Sequence, residues 1–422
     1  PLIAASLTTP ARPDRTGLAA APRNLAATWD SLVPPGRTRR NLHIVVLESF
    51  WDPSALGAVG PRRDPFDPRF RALWDATGRS RVLSPVFGGQ TANAEFEALC
   101  GFPVLQASVF FESGLRRDAP CLPRILAGDG YLTIASHPNI PAFWNRVNAY
   151  RRVGFEIYRS ANDFAMTDMI NEFMSDKSLY AQMGAEIWPL IESGRPILNY
   201  MLTIYGHLGY PVDERRPVVM EVGSADDLVA RYVSTAYHKT VELMDFLDEL
   251  AVRDPDALVV VFGDHLPYLG TAYSEAGLFS ENFGEMTPAM MLERSATPLL
   301  VIDGRNGPLR LGDMPIYRLP SLILDLLGFD ASTAMDLTDS PDGTMLRPLP
   351  GMIVVGGAGS GLACPIDSQD PACAGPLAWR ERVATVSADL FAGDQHVLAL
   401  LPRILPAHRV GRPRWADLGL GD

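Results

Sequence analysis

The chain has 422 residues, 47% of them hydrophobic, which is material for one large core plus an appended unit, not for a small stapled domain. Its formal net charge of −12 excludes the basic face that nucleic-acid binding needs, so no nucleic-acid partner is expected. No run reaches the ~18 apolar residues of a membrane helix.

Residues 1–40 are rich in Pro, Arg, Ala and Thr, lack a hydrophobic period, and read as a tether. The first element follows in NLHIVVLESFW. Leu42 to Leu47 is apolar on both faces, as a central strand of a parallel sheet is, and Glu48 stands at its C-terminal end. That is the end at which α/β folds place ligands.

Next comes PVFGGQTANAEFEALCG. A Gly-Gly pair ends an extended segment, and a short helix pattern runs from Thr91 to a stop at Gly101. Thr91 therefore sits at or beside a helix N-terminus, where backbone N–H groups favour an anion and its hydroxyl is placed as a nucleophile. Taken alone, such a threonine is an ordinary cap.

The segment GYLTIASHPNIPAFWNR reads as a strand, Tyr131 to Ala135, followed by His137, Asn139, Trp144 and Arg146. His, Asn and Arg hydrogen-bond phosphate or hydroxyl oxygens, and an indole packs on a polyol. The strand ILNYMLTIY ends before His207, again polar at a strand's C-terminal end. ARYVSTAYHKTVELMDFLDEL has helical spacing and reads as a surface helix covering the sheet, with no site on it. DALVVVFGDHLP repeats the first design: a strand from Ala257 to Phe262, a Gly, then Asp264 and His265. Hard oxygens with an imidazole suit Mn²⁺, Mg²⁺ or Zn²⁺, although each strand end alone is also an ordinary turn. His43 lies inside its strand and reads as a satisfied core residue.

MPIYRLPSLILDLLGFD is expected to be an amphipathic helix closing the main domain, with RPLPG, 347–351, marking its boundary. MIVVGG and a late helix in ERVATVSADLFAG then make a small subdomain, so the expected units are 1–40, 41–348 and 349–422. Cys364 and Cys373 bracket a polar loop and are expected to staple it, leaving Cys100 and Cys121 as partners among the three connectivities that four cysteines allow. A Cys₄ zinc site is disfavoured for want of a close Cys-x-x-Cys pair.

The order Glu48, Thr91, His137, FWNR, His207, Asp264-His265 resembles the extracellular domain of lipoteichoic-acid-synthase-type phosphoglycerol transferases, within the alkaline phosphatase and sulfatase superfamily. The likeness runs from about Asn41 to about Gly328. It implies a mostly parallel α/β sheet flanked by helices, with a small C-terminal subdomain. It also implies one divalent metal, Mn²⁺ or Mg²⁺ first and Zn²⁺ third, held by Glu48, Thr91, Asp264 and His265. His137, Trp144, Arg146 and His207 would form the phosphoglycerol pocket, with Asn139 standing where a more acidic partner is expected. No Cys-x-Pro-x-Arg segment is present to supply a sulfatase-type modified nucleophile.

The resemblance further implies a periplasmic domain of an inner-membrane protein, joined to membrane helices by residues 1–40, with Arg37, Arg39 and Arg40 near anionic headgroups. The implied reaction is transfer of phosphoglycerol from phosphatidylglycerol to a glycan acceptor, a membrane-derived glucan first, through a glycerophospho-threonine at Thr91. A phosphoethanolamine transferase, a phosphodiesterase- or sulfatase-like hydrolase and a catalytically dead binding module are the competing readings. No acidic residue lies in HPNIPAFWNR, which favours glycerol over an ammonium headgroup.

Overall fold

A computed structural model describes residues 39–280, 282–340, 343–356 and 361–404. The principal strands are β1 (Leu42–Leu47), β2 (Arg81–Leu83), β3 (Leu132–Ser136), β4 (Ile157–Arg159), β5 (Ile197–Leu202), β6 (Leu258–Gly263), β7 (Ala296–Asp303), β8 (Gly307–Pro308) and β9 (Asp313–Pro315). They form one nine-stranded sheet in the order β9-β2-β7-β6-β1-β5-β3-β4, with β8 paired to β7. Its centre is parallel: β1 pairs in parallel with β5 and β6, and β3 with β5 and β4. Only β7 runs against its neighbours β6, β2 and β8.

β1 explains why both faces must be covered. All six of its residues are buried; Leu42, Ile44 and Val46 enter one apolar cluster while Val45 and Leu47 enter another. Each large side chain so buried contributes roughly 1.5–3 kcal/mol. Helices α1 (Thr91–Cys100) and α5 (Leu319–Leu326) cover the first face. Helices α3 (Asp176–Glu192) and α4 (Asp227–Arg253) cover the second, and α2 (Arg146–Val153) flanks β3 and β4. This is the mostly parallel α/β architecture that the sequence implied.

Several expectations need correction. Pro320 in the first turn starts α5 at Leu319, because Met314 and Pro315 are taken by β9, which pairs with β2. The segment 347–351, expected as a boundary, lies in a hairpin of a small antiparallel sheet, β10 (Met345–Leu349), β11 (Met352–Gly356) and β12 (Leu362–Pro365). Leu346 and Ile353 of that sheet share the apolar cluster of Ile44, so it has no core of its own. Arg347, fully buried, donates to both carboxylate oxygens of Glu97 on α1, at 2.6 and 2.7 Å, and to the carbonyl of Leu83 at 3.2 Å.

The tether reading of residues 1–38 lies outside the described residues, as does Arg37. Arg40 is not available to headgroups: it is buried, ion-paired with Asp303, and donates to the carbonyl of Leu326 at 2.8 Å. Arg39 bonds Asp129 at 3.1 Å. Both expected disulfides are formed, Cys100–Cys121 tying the end of α1 to the segment after it and Cys364–Cys373 tying β12 to α6 (Ala374–Phe391).

Removing one member of a buried ion pair strands the other charge. Arg347→Met is expected to cost about 3–5 kcal/mol in urea denaturation, and the double variant Arg347→Met/Glu97→Leu to recover most of it. A single-variant cost below about 1 kcal/mol would show that no such clamp holds α1.

Candidate active site

Four neighbouring parallel strands, β6, β1, β5 and β3, end on the same side of the sheet. Their ends deliver, in that order, Asp264-His265, Glu48, Thr203 with the turn to His207, and His137. Gly263 makes the approach possible, because a Cβ there would lie 2.0 Å from the carbonyl oxygen of Phe50. Any side chain would push β6 away from the turn after β1 and carry Asp264 with it.

Above these ends lies the start of α1. Thr91 Oγ donates to Asp264 Oδ2 at 2.7 Å and lies 3.3 Å from Glu48 Oε2. Asp264 Oδ1 accepts the backbone N–H groups of Ser49 and His265, each at 2.7 Å, and Ser49 Oγ donates to Glu48 Oε1 at 2.8 Å. His265 Nδ1 is 2.9 Å from the carbonyl of Leu266, which fixes the proton there and leaves Nε2 as a lone-pair donor. Nε2 stands 3.2 Å from Asp264 and 3.9 Å from Glu48.

Glu48, Asp264 and His265 each offer one ligand atom, all within 4.8 Å of one another, and all three are buried. Burial pushes the Asp264 carboxyl up, His265 opposes this, and the negative charge of Glu48 adds to it. Two carboxylates crowded out of water with an imidazole and a hydroxyl form a donor set that a divalent cation relieves. The residues present therefore fit the implied metal.

The same constellation floors a cavity of about 250 Å³ whose lining includes Thr91, His137, Asn139, Trp144, Arg146 and His207. His137 Nδ1 is 3.1 Å from the carbonyl of Leu202. Burial, with Arg146 adding, holds its pKa well below the ordinary histidine value. The neutral ring thus presents Nε2 as an acceptor, suited to a ligand hydroxyl. His207 packs its ring against Phe173 at 5.4 Å. Asn139 Oδ1 is engaged by the N–H of Ile140 at 2.7 Å.

Arg146 is only partly what the sequence suggested. It is 1% exposed, and Nε and Nη2 both donate to Glu95 Oε2, at 2.9 and 2.8 Å. Tyr150 and Tyr200 hydroxyls complete the shell of Glu95. A carboxylate absent from HPNIPAFWNR thus arrives from α1, 51 residues from Arg146 in the chain. Its charge offsets the guanidinium, so Arg146 sits at the cavity wall as half of a closed pair. His43 is the satisfied core residue expected, 3.0 Å from Asp254 Oδ2 and 3.2 Å from Asn199.

Backbone strain gathers here. Ser49, Gln90, Trp144 and Tyr210 line the cavity with φ of 51°, 62°, 56° and 43°. Left-handed conformations in non-glycine residues cost on the order of 1–3 kcal/mol each and persist where surrounding structure enforces them. Their sequence context gave no sign of this. Lys239 was missed as well: α4 does cover the sheet, but this buried lysine bonds Asp176 of α3 at 2.8 Å, Thr203 Oγ just past the end of β5 at 3.0 Å and the carbonyl of Tyr205. Thr203 Oγ in turn accepts the N–H of Glu48 at 3.0 Å, so Lys239 fixes the strand ends that carry Glu48 and His207. The one available signal was that Lys177 and Lys239 are the only lysines among 37 basic residues.

Comparison with known proteins places this geometry. Residues 40–308 match the sulfatase family. A putative cyclic β-1,2-glucan modification protein of Rhizobium meliloti is 31% identical over 71% of this chain and 48% of its own length. Lipoteichoic acid synthase 1 of Bacillus subtilis is 26% identical over 52% of this chain and 34% of its own. The chain thus spans about half or less of the curated relatives it matches. Among solved structures, the lipoteichoic acid synthase LtaP of Listeria monocytogenes aligns with a TM-score of 0.62 at 18% identity, covering 90% of this chain and 99% of that one. The phosphoglycerol transferase GacH of Streptococcus pyogenes, solved with sn-glycerol-1-phosphate, also aligns at 0.62 and 18% identity, covering 89% and 92%. At such identities the structures speak to the fold.

Glu48→Gln, Asp264→Asn and His265→Ala are each expected to weaken Mn²⁺ binding in calorimetry more than about 100-fold, beyond the 10–100-fold typical of losing an outer-shell partner. His43→Ala, outside the cluster, should leave it unchanged. Wild-type affinity in all three ligand variants would remove the assignment.

Proposed function

We propose that this chain, which belongs to the sulfatase family, is a metal-dependent phosphoglycerol transferase using Thr91 as its nucleophile. The observation carrying this reading is the 2.7 Å contact from Thr91 Oγ to Asp264, at the mouth-facing start of a buried helix and beside an imidazole. A divalent cation held by Glu48, Thr91, Asp264 and His265 would lower the proton affinity of the threonine oxygen and offset phosphoryl charge. Mn²⁺ or Mg²⁺ suits the oxygen-rich set, with Zn²⁺ the next candidate.

Thr91 Oγ gives up its proton to water and attacks the phosphorus of a phosphodiester in line. The diacylglycerol oxygen leaves and is protonated, with His207 at the cavity wall placed to supply that proton. The phosphoglycerol unit remains on Thr91. An acceptor hydroxyl then attacks the same phosphorus, its proton passing to His207 in place of the one His207 gave up, and Thr91 Oγ departs as the oxyanion that began the cycle. His137 accepts from a glycerol hydroxyl, Trp144 walls the carbon skeleton, and Arg146, steadied by Glu95, bounds the cavity.

Phosphatidylglycerol is the donor that fits. Among the described residues, the acid lining the cavity is Glu48, which belongs to the metal set, so no carboxylate remains to meet an ammonium headgroup. The Rhizobium relative's name supports a glucan as acceptor. The two disulfides support an oxidising compartment, in keeping with a periplasmic domain of an inner-membrane protein. Among the described residues no helix is long and apolar enough to cross a membrane.

Intact mass after incubation with phosphatidylglycerol and Mn²⁺ is expected to show one glycerophosphoryl adduct on Thr91. Thr91→Ala should show none and lose transfer by at least about 10³-fold, the scale of removing a nucleophile, with unchanged melting. Equal loading from phosphatidylethanolamine would sink the glycerol assignment, and turnover by Thr91→Ala the covalent route.

A further inference from the structure

Nine large apolar side chains are exposed among the described residues, and five of them gather at one place. Phe143, Leu208 and Tyr268 line the cavity, and Ile140 and Val147 adjoin it on either side of Phe143. Ile140 bonds back to Asn139 and receives the N–H of Phe143 at 3.0 Å; Val147 follows Arg146 in the first turn of α2. Ile140 is 64% and Leu208 54% exposed, values without a core-packing explanation.

The charge around them is equally uneven. Apart from Glu48 of the metal set, no Asp or Glu lines the cavity, in a chain of net charge −12. Helix α2, which starts at the cavity wall with Arg146, carries an exposed arginine, Arg151, one turn beyond Val147. The cavity of about 250 Å³ has room for a headgroup only. Acyl chains are about 15 Å long, half of the ~30 Å hydrocarbon core, and must lie outside.

We propose that the cavity mouth is a membrane-docking surface for an anionic bilayer. Ile140, Phe143, Val147, Leu208 and Tyr268 insert at the headgroup–acyl boundary, and Arg151 meets lipid phosphates. One lipid headgroup then enters toward Thr91 while its chains stay in the leaflet. This rests on reading the cavity as a phosphoglycerol site. An apolar rim of such side chains dips about 5–10 Å into the interface, and each nearby basic residue adds about fivefold at an anionic surface.

The test is flotation of the 422-residue chain with vesicles of phosphatidylcholine plus phosphatidylglycerol, and of phosphatidylcholine alone. Wild type is expected to float with the anionic vesicles. Ile140→Asp/Val147→Asp, neither of which lines the cavity, should lower partitioning at least about tenfold, and Arg151→Gln about fivefold. Val252→Asp, at the far end of α4, should change nothing. Turnover of a water-soluble glycerophosphodiester should stay within about twofold in the double variant, which also reports that it folds. Partitioning of the double variant equal to wild type would overturn the proposal. So would a rim that instead mediates binding of soluble glucan or self-association, seen as loss of either in the variant without loss of flotation. Wild type that floats but does not turn over the soluble diester keeps the docking surface and removes the phosphoglycerol reading.

Discussion

Everything at this site depends on two buried carboxylates, Glu48 and Asp264, being brought together at the ends of adjacent strands beside the Thr91 hydroxyl. Like charges out of water repel, and the fold meets that cost locally. Asp264 takes two backbone N–H groups, Glu48 takes a serine hydroxyl, and His265 completes a donor set for a cation. The parallel register of β1 with β6 sets their spacing, and Gly263 lets the strands close to that distance.

Thr91, the proposed nucleophile, needs a fixed origin as well as a fixed target. Helix α1 is buried along its whole length and carries two glutamates, two residues apart, each bound to an arginine from a different direction. Arg146 ties Glu95 to the segment bearing Trp144, and Arg347 ties Glu97 to the small C-terminal sheet. The helix cannot rotate or slide without breaking a charged contact in a low-dielectric interior. The C-terminal strands are therefore part of the frame that holds Thr91, although none lines the cavity.

On the opposite face, Lys239 does comparable work for the strand ends. Its ammonium joins α4, α3 and the end of β5, and through Thr203 it holds the amide of Glu48. Left-handed backbone at Ser49, Gln90, Trp144 and Tyr210 is concentrated in this same frame. Strain of that kind survives where packing over-determines a position, as it does when four elements converge on one cavity.

The sequence by itself determined the strands and the polar groups that cluster at their ends. Continuous apolar runs at Leu42 and Leu258 read as buried parallel strands, and polar residues placed just after them read as ligands, because periodicity and strand-end chemistry are local properties. Thr91, Glu48, Asp264 and His265 were legible for that reason, and their order carried the resemblance. What the sequence left open were pairings between elements far apart in the chain. Glu95 with Arg146, Glu97 with Arg347, Lys239 with Thr203, and Arg40 with Asp303 have no spacing that announces them. The segment 347–351, read as a unit boundary, falls in a hairpin, since Pro and Gly mark a turn whether it separates domains or joins two strands. Tertiary structure decides these cases because the desolvation of a buried charge is settled only by whichever partner the fold brings within hydrogen-bonding distance.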